Sequence, residues 1–213
     1  MTHLKPKNSF SDKILVLGLE SWVSCIMSEK KEKIILGVDP GTRFMGYGVI
    51  LTQGDSMKVL QYGVINLSKY TTQGIKLKKI FDRIIGIIEE FLPDEMAIEA
   101  PFFGVNVQSM LKLGRAQGVV MAAALSREIP IVEYSPKTVK QSVTGNGNAS
   151  KEQVAHMLDQ LLKMKLDAKL FDATDALGIA VCHHFHGTSV MATMKGTKKG
   201  WGAFVNENPE RIK

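Results

Sequence analysis

The chain has 213 residues, 45% of them apolar and 23% charged, which suits one domain with a real hydrophobic core and excludes wholesale disorder, a collagen-like rod or a long coiled coil. Lys and Arg number 27 against 21 Asp and Glu, a net charge of +6 that permits a polyanionic partner without requiring one. Cys25 and Cys182 stand far apart and in no CxxC or Cys/His pattern, so neither a disulfide framework nor a zinc site is expected.

In chain order, residues 14–27 form an apolar stretch broken by Glu20. It is shorter than the roughly 20 residues a membrane-crossing helix needs and lacks a small-residue cleavage site. It leads into the charged segment Ser28-Glu-Lys-Lys-Glu-Lys33, and Met27 stands just before it. Residues 1–32 are therefore expected to be an extension and linker, with residues 1–26 an appendage to the working protein. Lys33-Ile-Ile-Leu-Gly-Val-Asp39 reads as a buried strand ending in an acid and a Pro-Gly turn. Residues 46–52 and 58–67 predict two more strands joined by the turn-rich Gln53-Gly-Asp-Ser56, hence an antiparallel meander. The spacing of Ile80, Ile84, Ile85 and Ile88 predicts a helix stopped by Pro93. Glu95-Met-Ala-Ile-Glu99 is then a fourth strand, reached by a helical crossover and so parallel to a neighbour.

Residues 106–127 predict a second long helix with Met110, Leu113, Gln117, Val120 and Ala124 along one side, followed by a strand at 131–134. Ser135-Pro136 starts a further helix, and Ser150-Lys-Glu-Gln153 has the form of a capping box. The last regular element is expected from about Asp172 to about His184. Residues 187–213, with five Lys/Arg against two acids, read as a basic tail anchored near Trp201 and Phe204. The order βββαβαβα with extra helices predicts an α/β fold, a mixed sheet with helices on its faces.

Four acids carry the chemical expectation. Asp39 and Glu99 each end a predicted strand, whereas Asp172 and Asp175 lie three apart, on one face of a helix. Taken singly, each has a plain reading: Asp39 as a turn cap, Glu99 as a solvent-facing strand end, Asp172 as a helix cap favoured by the dipole. Taken together, they form a supply of hard oxygen ligands suited to two Mg²⁺ ions completed by a phosphate, the arrangement for in-line phosphodiester cleavage. His183, His184 and His186 fall two to three helical turns beyond Asp175 and are expected to lie off the metal.

Several motifs now combine. They are Ile35-Leu-Gly-Val-Asp-Pro-Gly-Thr42 with Gly46-Tyr-Gly48, Ala97-Ile-Glu99 with Phe102, Leu111-Lys-Leu-Gly-Arg-Ala-Gln-Gly118, Tyr134 with Val139-Lys-Gln141, and Asp172-Ala-Thr-Asp-Ala-Leu177. In this order and spacing, over residues 33–186, the chain resembles the RuvC Holliday junction resolvases. The resemblance implies a ribonuclease H-like fold with a five-stranded mixed sheet and a homodimer joined through the second long helix. It also implies Mg²⁺-dependent cleavage (Mn²⁺ substituting) of two opposed strands at a four-way DNA junction, leaving 5′-phosphate and 3′-hydroxyl ends. It further implies Asp39, Glu99, Asp172 and Asp175 as the metal site, Phe102 as an aromatic stacking on junction bases, and Lys140 and Lys151 near DNA phosphates. The RuvAB branch-migration complex as a partner and a cytoplasmic location follow from the same resemblance. Actin-like and sugar-kinase ATPases share an Asp-x-Gly-Thr loop but need two such domains. The smaller YqgF-type nucleases lack the Lys-Leu-Gly-Arg segment, and a non-catalytic junction-binding scaffold would not need all four acids.

Overall fold

A computed structural model describes residues 32–101, 106–167 and 170–196, with residues 188–196 described through their backbone alone. The extension up to residue 31, Phe102 and its neighbours through residue 105, and the tail from residue 197 with Trp201 and Phe204 lie outside the described residues.

Five strands form one sheet: β1 (Glu32–Asp39), β2 (Phe44–Gln53), β3 (Ser56–Asn66), β4 (Glu95–Glu99) and β5 (Ile131–Tyr134), in the spatial order β3-β2-β1-β4-β5. The β2–β3 hairpin is antiparallel, turning through Gly54 at φ 58°, and its register shifts between Val49 and Ile50. β4 runs parallel to both β1 and β5, as expected of strands joined by helical crossovers.

Helix α1 (Gln73–Phe91) starts where the Thr72 side chain accepts the Ile75 N–H, and it ends at Leu92 in the left-handed region, one residue before Pro93. Its buried residues Ile80, Ile84, Ile87 and Ile88 recur at three- and four-residue spacing. Each contributes about 1.5–3 kcal/mol relative to exposure. With Val120 and Ala123 of α2 (Val107–Leu125) they cover one face of the sheet. The other face is covered by α3 (Pro136–Thr144), α4 (Lys151–Leu161) and α5 (Phe171–Gly196), whose Leu158, Leu177 and Ala180 pack on Ile35 and Ile50. The expected caps are formed: Ser135 before Pro136 caps α3, and Ser150 with Gln153 makes the reciprocal capping box of α4. Two helical layers around a mixed five-stranded sheet constitute the ribonuclease H-like fold.

One boundary differs from expectation. Helix α5 continues past His184 to Gly196, through the first ten residues of the expected tail. Gly187 alone is a weak breaker, about 1 kcal/mol against alanine, and no proline follows before residue 196.

Candidate active site

Parallel pairing sets the location of the site. Val38 is in register with Ile98, so Asp39 and Glu99 are the next residues on two adjacent strands and end at the same sheet edge. Side chains alternate between faces along a strand. Gly37, two residues before Asp39, lies against α5, and Ala97, two before Glu99, belongs to the core on the α5 side. Both carboxylates therefore stand on the α5 face.

Helix α5 brings the second pair. Asp172 lies inside the helix, in its first turn, and Asp175 follows one turn on, where the dipole favours acids. The helix can come this close to the sheet because glycines face it. A β-carbon at Gly46 would fall 1.8 Å from the Asp172 carbonyl oxygen, and one at Gly37 would fall 2.2 Å from that of Ala176. With any side chain at either position the helix would be held off the sheet and its two aspartates away from Asp39.

The electrostatics register the convergence. The Asp39 carboxyl is raised from 3.8 to about 8, first by burial and then by repulsion from Glu99, Asp175 and Asp172. Glu99 is raised as well, by burial and by Asp175. Lys151, at the first position of α4, opposes both shifts. Its Nζ donates to Asp175 Oδ2 at 2.7 Å, and that bond raises the lysine's own pKa. The cluster thus holds four carboxylates against one ammonium. Its donor set, all oxygen and short of positive charge, fits hard divalent cations. Among the described residues no three acidic, imidazole or thiol groups already stand at ligating distances around a common point.

Of the residues singled out in the sequence, Asp39, Glu99, Asp172, Asp175 and Lys151 are brought together. Lys140 is half-buried on α3 and forms no ion pair among the described residues. Phe102 lies outside the described residues. His183 is engaged away from the acid cluster. His183 is buried, its Nδ1 sharing a 2.8 Å hydrogen bond with Tyr134 Oη and its Nε2 a 2.5 Å contact with Glu95, at the opposite end of β4 from Glu99. Burial lowers the His183 pKa, and the Glu95 contact offsets this in part.

Two supporting features escaped the sequence reading. Gln117, buried on α2, donates to the Glu99 carbonyl oxygen at 3.3 Å and to Glu133 at 3.1 Å, tethering the end of β4. A lone amide within the apolar stripe of α2 was its signal. The glycines at 37, 46 and 48 were the other: all lie against α5, and together they mark a helix packed close to the sheet.

Comparison with known proteins places the fold and the sequence in one family. The family model described as crossover junction endodeoxyribonuclease RuvC matches residues 35–183. The RuvC of Cytophaga hutchinsonii is 62% identical over 182 residues, covering 85% of this chain and 89% of that protein. That of Porphyromonas gingivalis is 59% identical over 186 residues, covering 86% and 98%. The structure of Thermus thermophilus RuvC in complex with Holliday junction substrate aligns with a TM-score of 0.69 at 31% identity, covering 73% of this chain and 94% of that one. A family match over most of the chain, with relatives this similar along nearly their whole length, shows that the chain belongs to the crossover junction endodeoxyribonuclease RuvC family.

Proposed function

We propose that this chain is a structure-specific endonuclease that resolves four-way DNA junctions by divalent-metal-assisted cleavage of two opposed strands. The observation that carries the reading is the convergence of two strand-end carboxylates and two helix-borne ones, whose repulsion adds to burial in raising the Asp39 carboxyl. A cluster so short of positive charge is poised to take up cations. The names of the relatives and the junction bound to the T. thermophilus protein support the choice of substrate.

Asp39, Glu99, Asp172 and Asp175 would hold two Mg²⁺ ions, with Mn²⁺ an alternative. When bound, the ions supply Lewis acidity for the attacking water and for the 3′-oxygen leaving group, so that the products carry 5′-phosphate and 3′-hydroxyl ends. The chain's own groups prepare the site. The raised Asp39 carboxyl favours its proton in the metal-free protein and would give it up on ligating a cation. Lys151 neutralises Asp175 in the absence of metal, and its ammonium is placed to meet an incoming phosphate. Gln117 keeps Glu99 at the strand end, and Gly37 and Gly46 let α5 present its aspartates. Lys140 and Phe102 complete the DNA contacts, as a phosphate partner and as a surface for base stacking.

Paired cuts call for two sites related by a two-fold axis. Helix α2 supports a homodimer, because Val107, Leu111 and Leu125 are 66%, 52% and 59% exposed and fall on one side of the helix, an apolar stripe suited to a partner. Gly114 and Gly118 leave open space between them for a close helix–helix approach. No described helix is long and apolar enough to cross a membrane. A cytoplasmic enzyme receiving its junction from the RuvAB branch-migration complex completes the reading.

The test is incubation of the purified protein with a synthetic four-way junction and a linear duplex, each with and without Mg²⁺. Cutting is expected for the junction with Mg²⁺ alone, with Glu99→Gln binding the junction and leaving it intact. Equal cutting of the linear duplex, or normal cutting by the variant, would overturn the assignment.

A further inference from the structure

A cluster of cations lies on the other face of the sheet, away from the acids. Between the end of β3 and helix α1 is a cavity of about 260 Å³ lined by Tyr47, Asn66, Lys69, Tyr70, Lys79 and Arg83 together with Val64 and Ile65. Three of these residues are cations and none is an acid. Among the described residues, none of the three makes an ion pair. Asp82, the nearest acid along α1, is bound through both oxygens to Lys78.

The cavity is held in shape by a buried anchor. Tyr47 is 6% exposed, and its hydroxyl accepts a 2.7 Å hydrogen bond from Arg83 Nη2. The Arg83 guanidinium carbon also lies 5.2 Å from the centre of the Tyr47 ring. A β-carbon at residue 63 would come within 2.8 Å of the Tyr47 hydroxyl, so Gly63 is what lets the ring sit against β3. Arg83 is thereby fixed, with the rest of its five N–H donors free of partners among the described residues. Lys69 stands 5.4 Å from the Tyr70 ring centre. Aromatic faces backing cations that no acid neutralises make a site for a phosphate group.

Its position relates it to the acid cluster. Phe44 pairs with Asn66, so this end of β3 lies at the sheet edge to which Asp39 belongs. Gly46 faces α5 and Asp172, and its neighbour Tyr47 points the other way, into the α1 layer. Lys76 of α1 donates to the Thr42 carbonyl oxygen at 3.3 Å, joining the helix to the loop that follows Asp39. A strand leaving the acid cluster around the β3 edge would pass over the cavity.

We propose that this cavity binds a backbone phosphate in an arm of the DNA substrate, away from the scissile bond, and so holds the arm against the β3 edge; this rests on the junction-nuclease reading above. The test uses the full chain and a four-way junction carrying single neutral methylphosphonate linkages, one position at a time. For the native chain, at least one neutralised linkage outside the crossover should weaken binding. In Lys69→Ala/Lys79→Ala that linkage should become silent. Overall affinity should fall about tenfold at moderate salt, and the slope of log affinity against log salt should drop by roughly 1–2. Lys79→Arg should keep the native affinity, separating charge from any effect on folding. An unchanged salt slope and interference pattern in the double variant would overturn the inference. If the native chain instead fails to cut the unmodified junction in Mg²⁺, it is the junction-nuclease reading that fails.

Discussion

Replacing Asp39 by Asn should disable cutting and at the same time stabilise the metal-free protein. In the folded chain the Asp39 carboxyl is held at about 8, against an ordinary 3.8. Between those values the folded state keeps a proton that the unfolded state has lost, so wild-type stability falls as pH rises from about 4 to 8 and levels off above that. At 1.36 kcal/mol per pH unit the ceiling is about 6 kcal/mol. Glu99 shares the same repulsion and Lys151 relieves part of it, so we expect a net gain for Asp39→Asn of roughly 2–4 kcal/mol at pH 9, shrinking toward pH 5. Urea unfolding in chelator across pH 5–9, wild type beside variant, reads this directly. Added Mg²⁺ should raise the wild-type midpoint and leave the variant's unmoved. A variant no more stable than wild type at pH 9, or an advantage that does not grow with pH, would refute the electrostatic account of the cluster.

Three further outcomes are expected. Gly46→Ala places a β-carbon 1.8 Å from the Asp172 carbonyl oxygen, and the clash should cost roughly 3 kcal/mol or more and abolish junction cutting; an unchanged melting temperature and activity would contradict the close approach of α5. Gln61 carries a buried side-chain oxygen with no hydrogen-bond partner among the described residues, so Gln61→Met should be neutral or stabilise by about 1 kcal/mol in urea unfolding, and a loss of that size would count against it. Lys140→Ala should weaken junction binding and lower its salt slope by about 1; a slope equal to that of the wild type would remove Lys140 from the phosphate contacts.

Much of the fold was legible because its signals are local. The four-residue spacing of Ile80, Ile84 and Ile88, the Ser150/Gln153 capping box and the acids at strand ends are each read within a dozen residues. Strand order was not, since Ile35 opposite Glu95 is a pairing across 60 positions that no window contains. The same distance explains what was missed at the site. Gly37 and Gly46 mean little until α5 is known to lie on them, and the Lys151–Asp175 bond joins two helices whose proximity depends on the whole β4–α5 stretch. Gln117 falls in the apolar stripe read along one side of α2, but its hold on Glu99 depends on where β4 ends. The end of α5 was expected near His184, whereas the helix runs on to Gly196, because nothing in that local sequence is a strong breaker.

The acid cluster divides between the two ends of the domain. Asp39 belongs to the first strand and Asp172 and Asp175 to the last helix, with every other element of the fold between them. A ribosome therefore delivers Asp39 early, Glu99 near the middle of the chain, and both helical aspartates only with the last helix. A chain stopped before residue 172 lacks both helical aspartates and the helix that lies against β1 and β2. Such a partial product carries at most Asp39 and Glu99, and the four carboxylates come together only once α5 packs against Gly37 and Gly46.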